Sequence, residues 1–351
     1  MSHLRRAWRA LLAASLAAFA IDASAQVDYK IVTGSERGTY MQIGRDLAKF
    51  VAPPAGIRLE ALPSAGSAEN VRRLRYDQGV KLALVQSDVY QAFLDQAASG
   101  NPDAAALIKP LRLVMPLYNE EIYFLARADS PLNYVHDIRN ARINLGPIGS
   151  GTALSASTMY RLMFGAAVPE SRSSLMTNEE ALTKLIGDNP TVDVVVVVAG
   201  QPAKLLADMT PEARQHVKLL KVDVTHPSAR AALKTYFPAT VRASSYPNLL
   251  SEDIPAFAVK AFLVTYDYNM QQTAGNLARF ARSLCENFGK LQAEGHPKWK
   301  EVELALPDLG RGWTYYAPTS NEIRACIASR SSPGKAGTSC SQQERILGLC
   351  R

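Results

Sequence analysis

Short β-branched runs alternate along the chain with stretches whose apolar residues recur every three or four positions. Residues 29–33 predict a strand; after a Gly-containing turn, Ile43, Leu47, Phe50 and Val51 fall on one face of a helix. The unit then repeats. Residues 57–62 read as a strand, followed by Ser64-Ala65-Gly66-Ser67 and a helix around Val71 and Leu74; residues 82–86 lead into a helix holding Tyr90 and Phe93. Two longer strands are expected at 111–118 and 122–127, then a strand at 143–146, a Gly-rich loop at 147–151, and a helix through Leu154, Met159 and Met163. Residues 191–199, nearly all valine, predict a strand apolar on both faces, which belongs in the middle of a parallel sheet covered by helices. Later, Leu277, Phe280, Leu284, Phe288 and Leu291 make one amphipathic stripe with Cys285 on its inner side.

Repeated strand–turn–helix units specify an α/β fold with mainly parallel sheets. A chain of 351 residues exceeds one comfortable core, so two lobes are expected. The extended segments 118–127 and 257–266 are the candidate passages between them. On that reading lobe I combines 26–125 with 258–325, lobe II is 126–257, and 326–351 is a Cys-containing tail.

Hydrophobic residues make up 47% of the chain, enough to give each lobe a core and to exclude a disordered chain or a small disulfide framework. Residues 1–25 have the layout of a signal peptide. Arg5, Arg6 and Arg9 precede an Ala/Leu-rich run at 10–21, which is shorter than the roughly 18 residues a spanning helix needs. Ala23-Ser24-Ala25 offers a cleavage site before Gln26, so an exported, periplasmic protein is expected. Cleavage would remove three arginines and Asp22, lowering the formal charge from +7 to +5. The remaining Lys and Arg are scattered. The tightest group, Arg72, Arg73 and Arg75, sits beside Glu69 and Asp77 as a solvated helix face does, so no nucleic-acid partner is expected.

Cys285, Cys326, Cys340 and Cys350 all lie in the last quarter of the chain. An even count in an exported chain implies disulfides, with three connectivities open; Cys285–Cys326 with Cys340–Cys350 is preferred. With no CxxC pair and no nearby His, no metal site is expected.

Three strand-to-helix turns share one chemistry. The first contains Gly34, Ser35, Gly38, Thr39 and Tyr40; the second is Gln86-Ser87-Asp88; the third is Gly149-Ser150-Gly151-Thr152. Each puts small or hydroxyl residues where a helix begins and its backbone N–H groups lack partners. In an open parallel sheet such turns gather at the carboxyl ends of strands, and unpaired N–H groups at the positive helix end favour an anion. Singly, each turn reads better as an ordinary helix cap. Their meaning depends on convergence.

The stretches TGSERGTYMQIGRDLAK, PSAGSAENVRRLR, LALVQSDV, LRLVMPLYNEEIYFLARADSPL, INLGPIGSGTAL and VDVVVVVAGQPAKLL carry a resemblance, as do EDIPAFAVKAFLVT and LCENFGKLQAEGHP. From about residue 28 to 318 the chain resembles the TAXI-type solute receptors of TRAP transporters. The resemblance implies a type II periplasmic-binding-protein fold whose two lobes, joined by a hinge of two crossing strands, close on a small organic anion. It implies a carboxylate ligand such as glutamate or a 2-oxo acid, and delivery to a TRAP membrane permease. It places Gly38, Thr39 and Tyr40 on one side of the cleft with Ser87 and Asp88 beside them. Ser150, Gly151 and Thr152 would grip from the other lobe, and Gln201 would lie near the ligand. The family carries more Gly and Thr where this chain has Ser35-Glu36-Arg37, and Glu36 and Arg37 are expected to point to solvent.

No cofactor is expected, and the protein is expected to be a monomer. An enzyme is the rival class. Ser150 resembles a nucleophile site, but its spacing is not G-x-S-x-G, and His136, His216, His226 and His296 lie outside the three turns, with surface positions expected for each. Catalysis is not expected. A further alternative keeps the fold but makes the protein a permease-independent sensor or interaction protein.

Overall fold

A computed structural model describes residues 26–98, 100–309 and 312–331. The expected signal peptide, Cys340 and Cys350 lie outside these described residues. β1 (Val27–Val32) feeds α1 (Thr39–Asp46), which runs on through a π-helical turn (Leu47–Val51). β2 (Ile57–Leu62), α2 (Ser67–Tyr76), β3 (Val80–Gln86), α3 (Ser87–Ala98) and α4 (Pro102–Ile108) follow. The middle of the chain contributes β4 (Leu111–Arg127), β5 (Ile143–Asn144), α5 (Gly151–Phe164), β6 (Ser173–Ser174), α6 (Asn178–Ile186) and β7 (Val194–Ala199). Next come α7 (Lys204–Ala207), β8 (Val217–Leu219), α8 (Pro227–Ala232), β9 (Phe237–Val241) and β10 (Ile254–Tyr266). Helices α9 (Gln271–Glu286), α10 (Phe288–Glu294) and α11 (Ala317–Ser331) end the described chain.

The strands form one sheet in the order β2-β1-β3-β10-β4-β7-β5-β6, with β8 on β4 and β9 on β10. Pairing is parallel at both ends, β1 with β2 and β3, and β5 with β6 and β7. In the middle, β10 and β4 run antiparallel over most of their lengths. Each serves both halves: β10 pairs with β3 through residues 261–264 and with β9 through 254–258. These are the two crossing strands between lobes. Two apolar clusters flank the β2-β1-β3 side, around Ile43, Leu82 and Phe280 and around Val71, Tyr90 and Phe262. Two others flank the β7-β5-β6 side, around Phe124, Met159 and Val196 and around Tyr123, Leu185 and Val195.

Several expected boundaries move. The two strands expected at 111–118 and 122–127 are a single strand of 17 residues. The polar triplet Asn119-Glu120-Glu121 keeps its backbone ladder with residues 258–260, and its carboxyls find tertiary partners. The strand expected at 143–146 stops at Asn144, ahead of Gly146 with its φ of 99°. The stripe from Leu277 to Leu291 is divided at Asn287 between α9 and α10, although all five of its residues and Cys285 are buried. A disulfide joins Cys285 on α9 to Cys326 on α11, so helix rather than tail continues through Cys326 to Ser331.

Candidate functional site

Between the two halves of the sheet lies a cavity of about 120 Å³. Its walls come from turns distant in sequence. Gly34, Ser35, Gly38, Thr39 and Tyr40 line it from the β1–α1 turn, and Ser150, Gly151 and Thr152 from the start of α5. Ser87, Asp88 and Gln201, expected beside them, do not line it. Gln86 of the second turn does, and so do Gly66, Ser67, Glu120, Asn178 and Lys204, which sequence reasoning did not select as site residues. The turn holding Gly66 and Ser67 has the same small, hydroxyl-rich composition as the three selected turns, which was a usable signal. Glu120, inside a strand, had none.

Helix starts dominate the lining. α1 begins after Gly38 and α2 after Gly66, and neither has a side-chain cap on its first turn. α5 begins after Ser150, whose hydroxyl accepts from Ala153 N at 3.0 Å. The three helices thus point N–H groups and positive dipole ends toward one space. The approach of α2 to α5 is close. Glu69 N donates to Gly149 O at 3.0 Å, and a Cβ on Gly66, where φ is 129°, would stand 3.2 Å from Gly151 N. A Cβ on Gly151 would sit 1.8 Å from Gln86 Oε1. A side chain there requires the Gln86 carboxamide and the Ser67 hydroxyl to move aside while the lobes stay together.

Side chains extend the contact across the cleft. Thr39 Oγ1 donates to Gly200 O at 2.9 Å. Tyr40 donates its hydroxyl to Glu120 Oε2 at 2.6 Å; burial pushes the Glu120 carboxyl up to about 8, against the lowering effect of that bond, and raises the Tyr40 phenol well above its usual range. Gln86 and Glu120 stand opposite Ala261 and Val259 on β10, so they share one face of the sheet.

Asp88 leaves the cavity because α3 turns it toward α5. Ser155 Oγ donates to its Oδ2 at 2.5 Å and Tyr236 OH at 3.1 Å, and burial raises its pKa despite both bonds. Gln201 is fully engaged behind the cavity: its N and Nε2 donate to Glu121, Nε2 also reaches Thr240 O, and Oε1 accepts from Arg242 N. Arg37 remains exposed, as expected, yet also borders the cavity. It donates to Asp208 Oδ2 at 2.6 Å, and Lys204 shares the same carboxylate at 3.0 Å. His296 is half-buried rather than on the surface. Its ring accepts from Lys298 N, and burial first, then the Lys298 charge, lowers its pKa to about 4.

Among the described residues no group of three or more His, Cys, Asp or Glu could hold a metal ion, and no helix is long and apolar enough to cross a membrane.

The fold is that of periplasmic binding proteins. The periplasmic binding protein BugD superposes with a TM-score of 0.50 at 13% identity, over 86% of this chain and 94% of that one. A putative sulfonate ABC transporter periplasmic sulfonate-binding protein, SsuA, from Methylobacillus flagellatus KT is similar at a TM-score of 0.46 and 13% identity, over 92% and 94%. The substrate binding protein of an amino acid ABC transporter is similar at 0.44 and 12% identity, over 77% and 99%. Residues 31–310, from the first strand to beyond the last cleft-bearing element, match one sequence family, and the chain belongs to the NMT1-like family.

Proposed function

We propose that this is an exported solute-binding protein of the TAXI type, which captures a small organic anion between its lobes and presents it to a TRAP-type membrane permease. The observation that carries the reading is the convergence of three helix N-termini, α1, α2 and α5, on one cavity lined by Gly, Ser and Thr. Each such end favours an anion by about 0.3–1 kcal/mol when exposed and by more when water is excluded. Hydroxyls of Ser67 and Thr152 add further donors. A micromolar Kd requires about −8 kcal/mol, within reach of a carboxylate held by several such donors.

The mechanism is hinge closure. A ligand touching both walls stabilises the closed state over the open one by the contacts it makes only when they meet. The ordered β4–β10 ladder supplies the pivot and the turns supply the grip. A thermal-shift screen of dicarboxylates, amino acids and oxo acids, joined to native mass spectrometry of freshly purified protein, tests the reading. Stabilisation by at least one small carboxylate is expected; no shift with any of them, and no retained small molecule, would overturn it.

A further inference from the structure

β4 carries two neighbouring buried carboxyls with unequal partners. Glu121 is matched: Lys298 Nζ donates to it at 2.8 Å, and Gln201 donates to both of its oxygens. Glu120, 3% exposed, faces the cavity instead. Its hydrogen-bond partner is the Tyr40 hydroxyl, and among the described residues no Lys, Arg or His forms an ion pair with it. Buried carboxylates are ordinarily paired with a cation, because desolvation is otherwise uncompensated.

The acceptors around Glu120 repeat the mismatch. Gln86, also 3% exposed, leaves Oε1 buried without a donor, and so does Asn178 with its Oδ1; both residues line the cavity. The cations that reach the cavity, Arg37 and Lys204, are both engaged by Asp208. One wall of the cavity is therefore rich in N–H donors from helix ends, while Glu120 faces the same space with no cation of its own.

We propose that Glu120 is the specificity-determining residue of this cavity, accepting a hydrogen bond from an amino group on the ligand, so that the ligand class is amino acids rather than hydroxy, oxo or unsubstituted carboxylic acids. The inference rests on the reading of the cavity as a carboxylate receptor site. The helix ends hold the carboxylate, and the ammonium pairs with Glu120, which burial keeps protonated in the ligand-free fold and which releases that proton to solvent as the pair forms.

Isothermal titration with two matched sets tests this: alanine, lactate and pyruvate, and glutamate, 2-hydroxyglutarate and 2-oxoglutarate, each against the full chain and its Glu120→Gln variant. In at least one set the amino acid should bind the unaltered protein about tenfold or more tightly than the oxo acid, a difference of about 1.4 kcal/mol. In Glu120→Gln that preference should collapse, with oxo-acid affinity retained. An oxo or hydroxy acid binding the unaltered protein as tightly as its amino counterpart would overturn the inference and leave the receptor reading standing. Undiminished preference in a folded Glu120→Gln would remove Glu120 from the role. Binding by no member of either set, with no small molecule retained in native mass spectrometry, would overturn both. The matched comparison on the unaltered chain needs no variant to fold.

Discussion

Gly151 is the residue at which the cavity is most sensitive to a single atom. Its missing Cβ leaves space that the Gln86 carboxamide and Ser67 hydroxyl occupy from the opposite wall; an added methyl would meet them at 1.8 and 2.8 Å. The conflict exists only while the walls touch. Each lobe has its own apolar clusters, so Gly151→Ala should fold and leave the ligand-free melting temperature within a few degrees, a change of about 1 kcal/mol or less. Closure should suffer instead. We expect affinity for any carboxylate found in the screen to fall about tenfold or more, and ligand-induced compaction in solution scattering to disappear. Equal affinity in the variant would show that α2 and α5 need not meet for binding. Ser150→Ala, by contrast, removes a helix cap as well as a lining hydroxyl, and costs about 1 kcal/mol of stability that confuses the readout.

At the scale of elements, α11 depends on the cross-link to α9. Cys285 and Cys326 close a separation of 41 residues, and a loop of that length is worth up to about 4 kcal/mol in chain entropy. Arg330 donating to Cys285 O and the Arg282–Glu322 pair would hold part of the packing in its absence. Cys285→Ala with Cys326→Ala should therefore lower the denaturation midpoint measurably while leaving ligand affinity intact, since neither cysteine lines the cavity. An unchanged midpoint would refute the contribution.

The elements that sequence made legible are those with their own periodicity. β1 and β7 are rich in β-branched residues, β2 and β3 carry regularly spaced apolar ones, and the helices after them carry apolar stripes. β6 with two serines and β9 with Pro238 near its start have no such pattern; neighbouring strands recruit them. The same division applies to the site. Helix-start turns announce themselves by composition, so Thr39, Tyr40 and Ser150 to Thr152 were legible. Gln86 and Glu120 become neighbours only through the register of β10, and Asp88 departs only because α5 offers Ser155. Local sequence does not encode which of two adjacent polar residues faces a cavity.

For the molecule as a whole, the two walls are held together by bonds of opposite character. Some are exposed, such as Arg37–Asp208 and Arg242–Glu301, and contribute little individually. Others are buried and include groups whose protonation is displaced, so the folded state's preferred pH follows from them. The Glu120 carboxyl is raised to about 8 by burial, with Tyr40, Glu121, Asp88 and Lys298 as its charged or titratable neighbours. Between about 4.5 and 8 the folded chain keeps a proton there that the unfolded chain has released, so stability falls as pH rises through that window. Burial raises Glu121, Asp88 and Asp46 in the same direction and adds to the slope. His296 acts on the other side. Lowered to about 4, it stays neutral in the fold while the unfolded imidazole gains a proton, so stability is also lost as pH falls from about 6.5 to 4. Replacing either group should flatten one limb only. Glu120→Gln should gain melting temperature relative to the unaltered protein on going from pH 5 to pH 9, and His296→Asn should gain it on going from pH 7 to pH 4. Melting curves of both variants, recorded without ligand across that range, check the assignment; a Glu120→Gln difference constant with pH would mean that the carboxyl is ionised in the fold throughout.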